Sequence, residues 1–152
     1  MRRLLICLAL PLYLLVAADG GELPDVLHIA VGGFDGPSYD LLLTNGVLQY
    51  KAGDSASQLQ GANPEVVKPT GSQWKSFGTS LDEIGVWNWK TNYVDPNVLD
   101  GTQWSVVVKY TGKEVVTHGS NAYPGGKGAE PSPTFRKLME AIQKLLSGRD
   151  FK

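Results

Sequence analysis

The amino-acid sequence predicts an α+β fold, a two-layer sandwich in which a mainly antiparallel sheet of about five to six strands carries two helices in the order β-β-β-α-β-β-β-α. Two observations predict it. Asn45-Gly46 and Thr111-Gly112 each sit between stretches of alternating strand-forming residues, the mark of a β-hairpin. Each hairpin is followed downstream by an amphipathic segment with the same 3, 4, 3 hydrophobic spacing, Trp74-Phe77-Leu81-Ile84 and Phe135-Leu138-Ile142-Leu145. A short hairpin cannot bury a face alone, but two laid edge to edge make one antiparallel sheet with an apolar side that both helices can cover.

The chain opens on an address. Met1, Arg2 and Arg3 make a basic start, and Leu4 to Val16 form an apolar run of 13 residues, short of the about 20 that span a bilayer. Val16 and Ala18 place small side chains where a signal peptidase cuts, which predicts a signal peptide over residues 1–18 and cleavage before Asp19. Residues 19–152 are then a single α+β domain made of two hairpin-plus-helix halves. Cys7 is the only cysteine and lies inside the apolar run, so the mature chain is cysteine-free and relies on packing alone. The expected product is secreted or periplasmic in a bacterium, with no stable membrane insertion after cleavage. Loss of Arg2 and Arg3 leaves 12 of the 14 basic residues against 15 acidic ones, a formal charge of −3. That balance excludes nucleic acid as an electrostatic partner.

Val26 to Val31 alternates as a first strand, and Gly32 to Pro37 forms a loop. Tyr39 to Lys51 is a hairpin closed by Asn45-Gly46, the type I′ signal, whose two-residue loop pairs Leu43 with Leu48, Leu41 with Tyr50 and Asp40 with Lys51. Residues 51–69 read as a long polar connection. Thr70 and Gln73 make a capping box, Trp74 to Ile84 the helical stripe, and Gly85 a C-terminal cap, with Gly78 either a packing point or a weakness. Val86 to Tyr93 alternates as a strand, and Asp95 to Gly101 is a loop. Gln103 to His118 is the second hairpin; because threonine resists positive φ, its loop is expected to be longer than two residues, with Gly112 left-handed. Gly119 to Pro131 is a second glycine-rich connection. Ser132 and Pro133 start the last helix and Gly148 ends it.

No catalytic motif stands out. Ser120, in His118-Gly119-Ser120-Asn121-Ala122-Tyr123, lacks the glycine spacing of a nucleophile elbow, and His118 lies too close along the strand to aim at it. Asp82 and Glu83 are helix neighbours that point apart, so they make no paired-carboxylate site. Asp95, Asn97 and Asp100 miss the alternation a calcium loop needs, and His28 and His118 are the only histidines. Neither a metal nor any other cofactor is expected. Trp74 falls on the helical stripe and Trp104 on an apolar strand face, which places both in the core, whereas Trp87, Trp89 and Tyr93 could stack on sugar rings. Ser120, Asn121 and Tyr123 are the candidate binding residues of the second glycine-rich connection.

The stretch from Gly85 to Pro124, with Val86-Trp87-Asn88-Trp89, Asp100-Gly101-Thr102-Gln103-Trp104 and Gly119-Ser120-Asn121-Ala122-Tyr123-Pro124, resembles a class of small exported bacterial proteins of uncharacterised function. The resemblance covers about a third to a half of the chain. It implies one compact domain and no activity, substrate or catalytic residue. Paired helix-plus-sheet halves without cysteines are also similar in architecture to exported proteinaceous inhibitors. The sequence therefore points to a non-enzymatic exported binding or inhibitor-like module that meets a protein partner through a glycine-rich connection or the outer sheet face. The alternative is a glycan or cell-envelope binding module using Trp87, Trp89 and Tyr93.

Overall fold

A computed structural model of the chain describes residues 21–33, 36–98 and 100–152. The signal peptide read over residues 1–18 lies outside the described residues. In chain order the elements are β1 (Val26–Gly32), β2 (Ser38–Thr44), β3 (Val47–Gly53), α1 (Ala56–Gly61), β4 (Glu65–Val67), α2 (Gly71–Ile84), a 3-10 turn (Val86–Asn88), β5 (Asn92–Val94), β6 (Gln103–Tyr110), β7 (Lys113–Ser120) and α3 (Pro133–Leu145). The class is α+β, with all strands in one seven-stranded sheet ordered β4-β3-β2-β1-β6-β7-β5. Neighbours run antiparallel except β5, which lies parallel to β7.

Where local chemistry is strong, the chain folds as its residues dictate. Leu43 pairs with Leu48, Leu41 with Tyr50 and Asp40 with Lys51, while Asn45 at φ 52° and Gly46 at φ 77° both take the left-handed conformation of a type I′ turn. Gly46→Val is accordingly expected to destabilise the domain by at least about 1 kcal/mol, because a β-branched residue resists positive φ. The urea midpoint measures this, and an unchanged midpoint would refute the strain argument. The Thr70–Gln73 capping box forms, with Gln73 N–H donating to Thr70 Oγ1 at 3.2 Å and Thr70 N–H to Gln73 Oε1 at 2.9 Å. Ser132 caps α3 by accepting from Phe135 N–H at 3.1 Å, with Pro133 as the first helical residue.

Four expectations need correction. The sheet has seven strands and the fold three α-helices, because residues 51–69 are not merely a connection. Ser55 caps α1 by accepting from Gln58 N–H, and β4 then adds an edge strand to β3. Val86 to Tyr93 is not one strand. Gly85 leaves α2 at φ 73°, and Asn88 and Trp89 donate back to Gly85 and Val86, winding a 3-10 turn that leaves only Asn92–Val94 extended. The period-two aromatic pattern there is therefore not a pleat. The second hairpin has a two-residue loop, since Tyr110 pairs directly with Lys113; Gly112 alone takes positive φ, 83°, and Thr111 is spared it. Finally, the two hairpins do not touch each other. β1 lies between β2 and β6 and is hydrogen-bonded to both.

Both long helices cover one sheet face. Leu27, Ile29, Leu41, Leu48, Val106 and Val108 project from it against Phe77 and Leu81 of α2 and Leu138 and Ile142 of α3 in a single buried cluster. Gln73 joins the helices: its Nε2 donates to Lys144 O at 3.1 Å and to Ser147 Oγ at 3.1 Å, supplying acceptors at the end of α3 with a donor. Gly78 proves to be a packing point, because the Tyr110 hydroxyl lies beside it. That hydroxyl is buried without a partner among the described residues, and burial pushes it up to about 12. Beyond α3, Ser147 and Gly148 turn left-handed and return Phe151 to the core, where its ring lies 5.3 Å from that of Tyr39.

Candidate binding pocket

Trp104, the second residue of β6, organises the end of the sheet where β1 finishes and β6 begins. Its indole lies over Gly119 of β7, at which any Cβ would run into the ring, and its Nε1–H donates to Ala122 O at 2.9 Å. Around it gather Phe135 at 4.9 Å between ring centroids, Tyr93 at 5.8 Å, Tyr123 at 6.2 Å and Trp89 at 6.4 Å. The cluster joins Trp89, which ends the 3-10 turn, with β5, the second glycine-rich connection and the first turn of α3. One glycine makes that close approach of sheet and indole possible.

On the solvent side of this cluster lies a half-open pocket of about 790 Å³. Val31, Tyr123, Phe135 and Met139 form its apolar floor. Gly33, Gly36 and Pro37 line one side and Asp100, Gly101 and Thr102 the other, while Arg136, Glu140 and Lys152 bring both signs of charge to the rim. The Thr102 side is fixed by Asn121, which takes φ 54° and donates its N–H to Thr102 O at 3.0 Å. The Asn121 side chain packs so closely on Gly101 that a Cβ there would collide with it. Arg136 is held by donation from Nη1 to Pro131 O at 2.6 Å. Burial raises the Tyr123 hydroxyl above its ordinary value; a hydrogen bond with Thr102 opposes this, and the nearby Glu130 charge adds to it. At working pH the phenol is neutral and can donate.

The six candidate residues read from the sequence are not one site. Trp87 packs edge-on to Tyr110 at 6.0 Å, donates its Nε1–H to Asp82 Oδ1 at 2.7 Å and lies 4.7 Å beneath the Lys113 ammonium. Hydrogen bonds from Lys113 and then Trp87 hold the Asp82 carboxyl below its usual value. Trp89 and Tyr93 instead join the Trp104 cluster, at the other end of β6, about 20 Å along the strand from Tyr110. Tyr93 is further engaged, its hydroxyl accepting from Lys90 N–H at 2.9 Å. Ser120 points to the opposite sheet face, where its Oγ accepts from Gln103 Nε2 at 2.7 Å. Asn121 is structural, and Tyr123 alone of the six lines the pocket. Asp95 serves an ordinary turn, accepting from the backbone and side chain of Asn97 at 3.0 and 3.1 Å.

Among the described residues, no three His, Cys, Asp or Glu side chains gather as a metal site, and no helix is long and apolar enough to cross a membrane. Val31, Arg136, Met139 and Glu140 were not legible as site residues. The one available signal was Met139, which widens the buried apolar stripe of α3 beyond Phe135, Leu138, Ile142 and Leu145. No family model matches this chain, and neither a curated protein nor a solved structure is found to match it.

Proposed function

We propose that this protein is an exported, non-enzymatic binding module whose recognition site is the pocket between α3 and the β1 and β6 end of the sheet, and whose partner is a protein segment that inserts apolar side chains there. The observation that carries the reading is the pairing of an apolar floor, Val31, Tyr123, Phe135 and Met139, with a rim bearing Asp100, Arg136, Glu140 and Lys152. Pockets of this size with apolar walls and few polar groups are where binding energy concentrates. At about 790 Å³ the pocket is too large for one side chain, and rim charges of both signs suit a peptide that carries acidic and basic groups beside its apolar anchor. Export is supported by the basic start and the apolar run of 13 residues that precede the domain.

The test is capture from an envelope or culture extract, with the wild type beside the rim variants Arg136→Glu and Glu140→Lys and the pocket variant Met139→Lys. Arg136 and Glu140 are exposed, so the rim variants should keep the wild-type melting temperature. We expect one retained protein whose affinity falls at least about tenfold in each rim variant, because each reverses a charge that faces the partner. Equal retention by all variants would remove the pocket from recognition.

A further inference from the structure

The sheet face opposite α2 and α3 is largely bare, and it mixes exposed apolar side chains with polar ones where solvent-facing strands are usually polar. Of the large apolar side chains exposed among the described residues, all but Leu23 are valines of this face: Val26, Val66, Val94 and Val116, between 41% and 55% exposed. The registers align one transverse row across six strands, Val66, Gln49, Leu42, His28, Val107 and Val116. On one side of that row stand Asp40, Ala30, Ser105 and His118, and on the other Thr44, Val26, Lys109 and Glu114. α1 rises at one corner, against Gly53. Between it and Ala30, Gly32 and Ser105 is a hollow of about 490 Å³.

We propose that this face is the interface of a homodimer, in which a second copy packs on it about a two-fold axis running along the transverse row. That axis sets the row against itself, so Val66, Gln49, Leu42, His28, Val107 and Val116 each meet the same residue of the second copy, as an isologous interface requires. The two flanking rows exchange places. Ala30, at the edge of the hollow, meets the protruding Val26 of the second copy, and His118 meets its Glu114, so bump faces hollow; His28, bonded to Asp40 at 2.7 Å, meets its own copy on the axis, and no two lysines or carboxylates are opposed. Area agrees. At about 4.8 Å per strand and about 3.4 Å per residue the face measures about 29 by 24 Å, so a pair would bury about 1,400 Å², within the range of stable specific interfaces.

Sedimentation equilibrium on the purified protein tests the proposal through Val116, which is 55% exposed in the single chain. The wild type should pass from the monomer mass to twice that mass as concentration rises. Val116→Lys and Val116→Glu each place two like charges face to face and should weaken dimerisation by roughly 100-fold, with the melting temperature unchanged at protein concentrations where the wild type is monomeric. An equimolar mixture of the two should dimerise again, because lysine then faces glutamate. A wild type that stays monomeric throughout overturns the proposal and leaves the face to solvent or another partner. Dimers that survive in Val116→Lys, or a mixture that stays monomeric, overturn it equally.

Discussion

Trp104→Ala is expected to lower the stability of the domain by about 3–5 kcal/mol, the cost of emptying a large aromatic core site. The indole is 3% exposed and makes ring contacts with Trp89, Tyr93, Tyr123 and Phe135. The surroundings cannot collapse into its place, because they come from separate segments held by their own ladders and caps. The loss also orphans Ala122 O, which accepts from Nε1. Trp104→Phe should cost less, since it keeps an aromatic ring over Gly119 and forfeits the hydrogen bond and part of the volume. The urea midpoint should fall with the m-value unchanged. Because Tyr123 and Phe135 form the pocket floor and lean on this indole, Trp104→Phe should also weaken partner capture. A midpoint within error of wild type in Trp104→Ala would show that the cluster is not the keystone of this end of the sheet.

What could be read from the residues divides along the range of the interactions concerned. Asn45-Gly46, Thr70 with Gln73, and Ser132-Pro133 act over a few positions, so each turn and cap was legible and formed as read. Val86 to Tyr93 misled because its alternating aromatics imitate a strand, whereas the left-handed exit at Gly85 commits the next residues to a 3-10 turn. α1 is too short and too polar to carry a hydrophobic period, and β4 is visible only through its pairing with β3. The place of β1 between the hairpins depends on which edges meet, a choice that no local pattern records. The pocket suffers most, because Val31, Tyr123 and Met139 lie on three distant segments and become neighbours only when β1, β6 and α3 are assembled.

That assembly also decides how the domain comes apart. Leu81 of α2 and Ile142 of α3 are both fully buried in the one cluster, so Leu81→Ala and Ile142→Ala should each cost about 2–5 kcal/mol. The two halves repeat the same hairpin-and-helix plan, and a repeat of this kind could in principle melt in two steps. Three links argue against it. β1 pairs with β2 of the first half and with β6 of the second, so no cut between the halves spares a ladder. Gln73 of α2 bonds to the end of α3. The last residues pass back to the first half, where Tyr50 donates to Asp150 O at 2.7 Å and Arg149 pairs with Glu65. Each substitution should therefore lower a single transition that tryptophan fluorescence and circular dichroism report at the same midpoint. The tryptophans make the test sharp: Trp74 belongs to α2, while Trp104 sits in the second hairpin. If Leu81→Ala loosened the surroundings of Trp74 at a denaturant concentration that left Trp104 buried, the halves would be independent units and the shared-sheet account of the fold would fail.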